Sequence, residues 1–114
     1  MLFQNLLMML EWRFGNSEYR HGRDTMNPKV REIIAEVSAK HGLQPAQITG
    51  PLTTKKVTKA RAEAAYRIRT ELRPLALNPD FYSYPNIGRM LNRNHATIYT
   101  AVQRHAEAIG AAHV

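Results

Sequence analysis

Cysteine is absent from all 114 residues. That excludes a disulfide scaffold, a thiolate metal site and a cysteine nucleophile. Acidic residues are scarce: nine Asp+Glu stand against 16 Lys+Arg, for a formal net charge of +7. No apolar run approaches the ~20 residues that a membrane-spanning helix needs. Residues 2–10 are apolar but lack the basic start and small-residue cleavage site of a signal peptide. No Gly-Lys-Ser/Thr phosphate loop occurs, so no ATP-hydrolysing module of that kind is expected. His21, His41, His105 and His113 show no metal-ligand spacing. There is no nucleophile–base motif and no paired-carboxylate motif. The expectation is a non-enzyme with no cofactor, no metal and no small-molecule substrate. β-strand alternation and internal repeats are missing as well.

What is present suits one domain. The hydrophobic fraction is 44%, ordinary for a globular chain of this length and enough for one core. The charge is unevenly placed. Within residues 1–26, Arg13, Arg20 and Arg23 are balanced by Glu11, Glu18 and Asp24, so the whole +7 lies in residues 27–114. Such a surplus suits a polyanion, either nucleic acid or an anionic membrane surface. Residues 1–26 read as an N-terminal extension: an apolar segment at 2–14, then a polar linker at 15–26. The apolar segment is either a helix packing on the core or on a second subunit, or an upstream addition with Met26 as the true start. Residues 2–14 are also the candidate surface for a homodimer.

Helical signals dominate residues 27–114. Asn27 and Pro28 suit an N-cap and a first helical position. Val30, Ile33, Ile34, Val37 and His41 follow at helical spacing, and Gly42 suits a left-handed end. A short turn fits Pro45 to Ile48. Residues 53–59 read as a basic approach to a helix from about Thr58 to Leu72, with Ala60, Ala64, Ala65, Ile68 and Leu72 inward. Arg67 and Arg69 are expected to be solvated or paired with Glu63 and Glu71. Residues 74–84 read as a loop with apolar anchors, broken by two prolines. In it Phe81, Tyr82 and Tyr84 are packing residues. A short helix fits Pro85 to Leu91, a turn fits residues 92–94, and a last helix runs from His95 to about Ile109. The fold class is all-α: a small bundle of four to five helices ending in a helix-turn-helix.

In a helix-turn-helix the second helix enters the DNA major groove and its first residues meet base edges. At about 100° per residue, Ile98, Tyr99, Val102, Ala106 and Ile109 share the core-facing side. Arg93, Thr97, Thr100 and Arg104 gather opposite, with Ala96 at the flank. Short threonines reach base edges and thymine methyls, and arginine grips guanine or phosphate.

Residues 27–109 resemble the C-terminal DNA-binding domain, domain IV, of the bacterial replication initiator DnaA. That family's last-helix signature is Gly-Gly-Arg-Asp-His-Thr-Thr-Val; here it reads Leu91-Asn92-Arg93-Asn94-His95-Ala96-Thr97-Ile98. Its scaffold-helix pattern, Leu-Pro-Glu-Ile-Gly, is matched by Tyr84-Pro85-Asn86-Ile87-Gly88. Thr58-Lys59-Ala60-Arg61-Ala62-Glu63-Ala64 resembles its helix after a basic loop. The resemblance implies double-stranded DNA as partner, with Asn94, His95, Ala96 and Thr97 at the bases. It implies a basic segment at 55–61, with Lys55, Lys56, Lys59 and Arg61, on the backbone or in the minor groove. Arg93, Thr100 and Arg104 are the further phosphate candidates. Of the family's Asp-His-Thr triplet only His95 is retained: Asn94 replaces Asp and Ala96 replaces Thr. About six residues are added around 74–83. A target differing from the initiator box, or weak specificity, is therefore expected.

These expectations describe a cytoplasmic, nucleoid-associated regulator of transcription or replication. The alternative is an interaction module that keeps the fold and binds a replication or transcription protein.

Overall fold

The structure is a computed structural model and describes residues 27–111. Those residues hold α1 (Pro28–Lys40), α2 (Pro45–Thr49), α3 (Lys55–Arg67), α4 (Tyr84–Leu91) and α5 (His95–Ala108), with no strand among them. The apolar segment 2–14, the linker 15–26, the homodimer surface, Trp12, Phe14, His21 and His113 lie outside the described residues.

Each helix starts where the local chemistry supplies a cap. Asn27 Oδ1 accepts from Val30 N at 3.0 Å, and Pro28 fills the first turn of α1. Thr54 Oγ1 accepts from Val57 N at 3.4 Å and starts α3 at Lys55. The basic stretch 55–59 is thus the opening of a helix, a correction to the approach loop read from the sequence. Thr54 supplies the cap, and the lysines that follow are good helix formers.

Three helices end in the same way. After α1, Leu43 N donates to Ser38 O at 2.7 Å and Gly42 N to Ala39 O at 3.2 Å, with Gly42 at φ +69°. After α5, Ala111 N donates to Ala106 O and Gly110 N to Glu107 O, with Gly110 at φ +76°. After α4, Arg93 N donates to Gly88 O and Asn92 N to Arg89 O, with Asn92 at φ +57°. Each closes the last orphan carbonyls through one left-handed residue.

The core gathers one face of every helix. Val30, Ile33, Ile34 and Val37 of α1 and Ala60, Ala64 and Ala65 of α3 are buried, as are Ile87 and Leu91 of α4 and Ile98 and Val102 of α5. Burying an aliphatic side chain of this size contributes about 1.5–3 kcal/mol. The alanines let α5 pack closely along α3. Beyond Arg67 the chain widens into a π turn at Ile68–Leu72, then makes short 3₁₀ turns at Arg73–Leu75 and Pro79–Tyr82. In this connection Tyr82 is buried and Phe81 packs edge-on against it, ring centres 5.0 Å apart. Leu75 and Leu77 do not anchor; Leu77 is fully exposed. Asn27 Nδ2 donates to Tyr82 Oη at 2.9 Å and ties this connection to the start of α1.

Arg67 pairs with Glu71, as expected, and also with Glu36 of α1. Glu63 takes different partners. Its carboxylate accepts from Lys40 Nζ at 3.0 Å and lies 3.0 Å from His41 Nε2. Burial pushes the Glu63 pKa up, but hydrogen bonds from His41 and Lys40 outweigh it and hold the carboxyl below its ordinary value. His105 packs on Tyr66 at 4.9 Å, and burial lowers its pKa. Both groups act in the same sense. A depressed carboxyl contributes stability above its unfolded pKa of 4.5, lost as pH falls through the folded value. A histidine whose cation is disfavoured opposes folding as pH falls below 6.5. Denaturant midpoints measured against pH should therefore drop in one shallow step below 6.5 and again below 4.5. His105→Gln should remove the upper step and Glu63→Gln the lower.

Candidate nucleic-acid interface

The last two helices and their turn form a tight helix-turn-helix. Ser83 Oγ caps α4 by accepting from Asn86 N at 3.4 Å. Ile87, Met90 and Leu91 then turn inward. Gly88 faces the turn. A Cβ at this position would collide with the carbonyl oxygen of Arg93 and touch His95 N. The missing side chain lets the turn fold back onto α4.

Asn94 starts α5: its Oδ1 accepts from Ala96 N at 2.8 Å. With that oxygen engaged in the cap, the amide nitrogen is what Asn94 offers outward. His95, Ala96 and Thr97 follow, all exposed, at a helix end that carries partial positive charge. Thr100 and Arg104 are exposed on later turns, while Ile98, Val102 and Ala106 are buried. Tyr99 and Ile109, expected in the core, are 51% and 55% exposed. Tyr99 lies at the rim of the apolar stripe and rests edge-on against Tyr84, 5.2 Å between ring centres. Ile109 follows the end of α5, where the chain turns away at Gly110.

Lys55, Lys56 and Lys59 are exposed on the first two turns of α3. Arg61 is not with them. It is 5% exposed and directed at the main chain after α2. Its Nε donates to Ile48 O at 2.7 Å, and Nη2 donates to Gln47, Gly50 and Leu52 carbonyls at 2.9–3.2 Å. A five-residue helix leaves its terminal carbonyls without partners, and Arg61 supplies them. Burial, then the neighbouring Arg93, lowers its pKa to about 10. The expected phosphate role of Arg61 is therefore replaced by a role in the fold, because α3 turns this position inward. Arg93 is half-buried and also folds back, donating to Asn92 O at 2.7 Å and Gly50 O at 2.6 Å. The sequence reading missed residues 50–54 as the junction between the two basic elements; Gly50-Pro51 was its visible signal.

Arg69 donates to Tyr82 O at 2.9 Å and lies 4.1 Å over the Tyr84 ring, so it braces the 74–83 connection instead of pairing with an acid. Among the described residues no three His, Cys, Asp or Glu side chains stand together as a metal set, and no helix is long and apolar enough to cross a membrane.

Three stability measurements check this geometry. Gly88→Ala should lower unfolding free energy by about 1–3 kcal/mol through overpacking. Arg61→Ala should cost a similar ~1–3 kcal/mol by stranding buried carbonyls. Lys59→Ala should leave the urea midpoint nearly unchanged.

The family profile described as the bacterial dnaA protein helix-turn-helix matches residues 30–104. No curated protein and no solved structure matches the chain. The matched span runs from the first turn of α1 into α5 and takes in the turn that Gly88 and Asn92 close; the chain belongs to the bacterial dnaA protein helix-turn-helix family.

Proposed function

We propose that this protein binds double-stranded DNA without catalysis, as a regulator of transcription or replication in the cytoplasm at the nucleoid. The family is one of DNA-binding helix-turn-helix domains. The observation that carries the reading is the amino end of α5, which holds His95, Ala96 and Thr97 exposed on a helix whose opposite face is buried. In this reading α5 enters the major groove, where His95 and Thr97 meet base edges and Ala96 meets a thymine methyl. Asn94 presents a donor where the family's aspartate presents only acceptors, so its partner on the base changes from an amino group to a carbonyl or ring nitrogen. Lys55, Lys56, Lys59, Thr100 and Arg104 face phosphates or the adjacent minor groove.

A salt titration with duplex DNA tests the reading. Log affinity should fall linearly with log salt, roughly 0.9 per neutralised phosphate, or about −3 to −4 for Lys55, Lys56, Lys59 and Arg104 together. Binding that ignores salt, or no binding at low salt, would overturn it. In a selection from random duplexes, His95→Ala should lose about 1–3 kcal/mol of discrimination at one position while keeping non-specific affinity. Asn94→Asp should change the preferred base without loosening the cap.

One observation favours a second reading. Leu75 and Leu77 are 73% and 107% exposed on the added connection, a surface suited to a protein partner. Substituting Ala for Lys59 and Thr97 separates the two: function unchanged in that double variant would support the interaction module.

A further inference from the structure

Two arginines from different elements meet over one short stretch of main chain. Gly50 O accepts from Arg61 Nη2 at 3.1 Å and from Arg93 Nη2 at 2.6 Å. Leu52 O accepts from the same two groups, at 2.9 and 3.4 Å. Arg61 belongs to α3, and Arg93 belongs to the turn that launches α5. The stretch they share leads directly to Thr54, whose side chain caps α3, and the cap holds Lys55 and Lys56 in the first helical turn.

Resting on the DNA-binding reading above, we infer that Arg93 is a positioning residue. It ties the helix-turn-helix turn to residues 50–54, and so fixes where Lys55 and Lys56 stand relative to His95, Ala96 and Thr97. It does not itself grip a phosphate. The planar guanidinium explains the choice of residue: one fork reaches the carbonyls of Asn92, Gly50 and Leu52 together, which the point charge of lysine cannot do. Two like charges are brought close at this point, and the cost is visible in Arg61, whose pKa is lowered by burial and by Arg93. The main-chain carbonyls offset that repulsion. Among the described residues, the side-chain hydrogen bonds of Arg61 fasten Gly50 and Leu52 to α3, and those of Arg93 fasten them to the recognition turn.

The test uses the full chain and a random-sequence duplex, with salt slopes for the wild type, Arg93→Ala, Arg93→Lys, the Lys55→Ala/Lys56→Ala pair and the triple combination. Loss of one direct phosphate contact lowers the slope by about 0.9. Loss of position frees both lysines and lowers it by roughly 1.8. The expected result is the larger loss, with Arg93→Lys matching Arg93→Ala and no further loss when Arg93→Ala joins the lysine pair. A loss of about 0.9 that adds to the lysine pair, or that Arg93→Lys restores, would make Arg93 a phosphate contact and overturn the inference. An unchanged slope would overturn it too.

A second arm needs no DNA. Amide hydrogen exchange at Val57 and Thr58, whose N–H groups donate to Thr54, should speed several-fold in Arg93→Ala, while the Ile98 amide, which donates to Asn94 O, keeps its wild-type rate. Unchanged exchange overturns the inference alone. Acceleration that includes Ile98 overturns it as well, since Arg93 would then hold the whole fold. A wild-type chain that binds no duplex overturns the inference together with the reading beneath it.

Discussion

The turn between α4 and α5 closes on a single hydrogen atom. Where Gly88 meets the Arg93 carbonyl there is no room for a methyl group, and Arg93 N reaches Gly88 O at 2.7 Å only because of that approach. Everything presented by α5 follows from this contact. It sets the direction in which the chain leaves Asn92 and brings Asn94 to the helix end as a cap. It also leaves His95, Ala96 and Thr97 on the free side while Ile98 enters the core. Asn92 completes the constraint. It adopts the left-handed conformation that glycine adopts after α1 and α5, and asparagine is among the few other residues that do so at low cost.

The surplus of positive charge is divided among three physical tasks. Some cations are spent on acids: Arg67 on Glu71 and Glu36, Lys40 on Glu63. Hydrogen bonding to Glu71 and Glu36 raises the Arg67 pKa above its ordinary value despite partial burial. Others are spent on main-chain oxygen, namely Arg61 and Arg93 around Gly50 and Leu52, and Arg69 at Tyr82. Lys29, Lys55, Lys56, Lys59, Arg73, Arg89 and Arg104 remain exposed. A net charge of +7 is therefore no count of phosphate contacts. It is the sum of a framework that uses guanidinium forks to close loops and pair acids, and a separate set of charges left facing solvent.

Much of this was legible in the sequence because helical periodicity is a local property. The inward positions of α1, α3 and α4 follow directly from spacing, and Asn27, Gly42 and Pro85 mark their ends. The candidate site was legible in type but not in detail. Thr97, Thr100 and Arg104 are exposed as read from the wheel, whereas Tyr99 and Ile109 left the core face, because a wheel assigns direction without knowing how far the neighbouring helix extends. Arg61 and Arg93 were hidden for a different reason. Whether an arginine faces solvent or a carbonyl depends on which orphan acceptors the fold brings beside it, and those belong to residues 9–14 positions away for Arg61 and 41–43 away for Arg93. The start of α3 lies three residues before the one read from the sequence, because the lysines that follow the Thr54 cap carry no periodic apolar signal.

The most direct test of the whole account is a map of backbone amide shifts in ¹⁵N-labelled protein as duplex DNA is added. The expected map has two centres, residues 94–100 with Arg104, and residues 53–59, leaving the outer face of α1 around Glu32 and Glu36 unmoved. Shifts centred instead on Leu75 and Leu77, or on α1, or absent altogether, would contradict it.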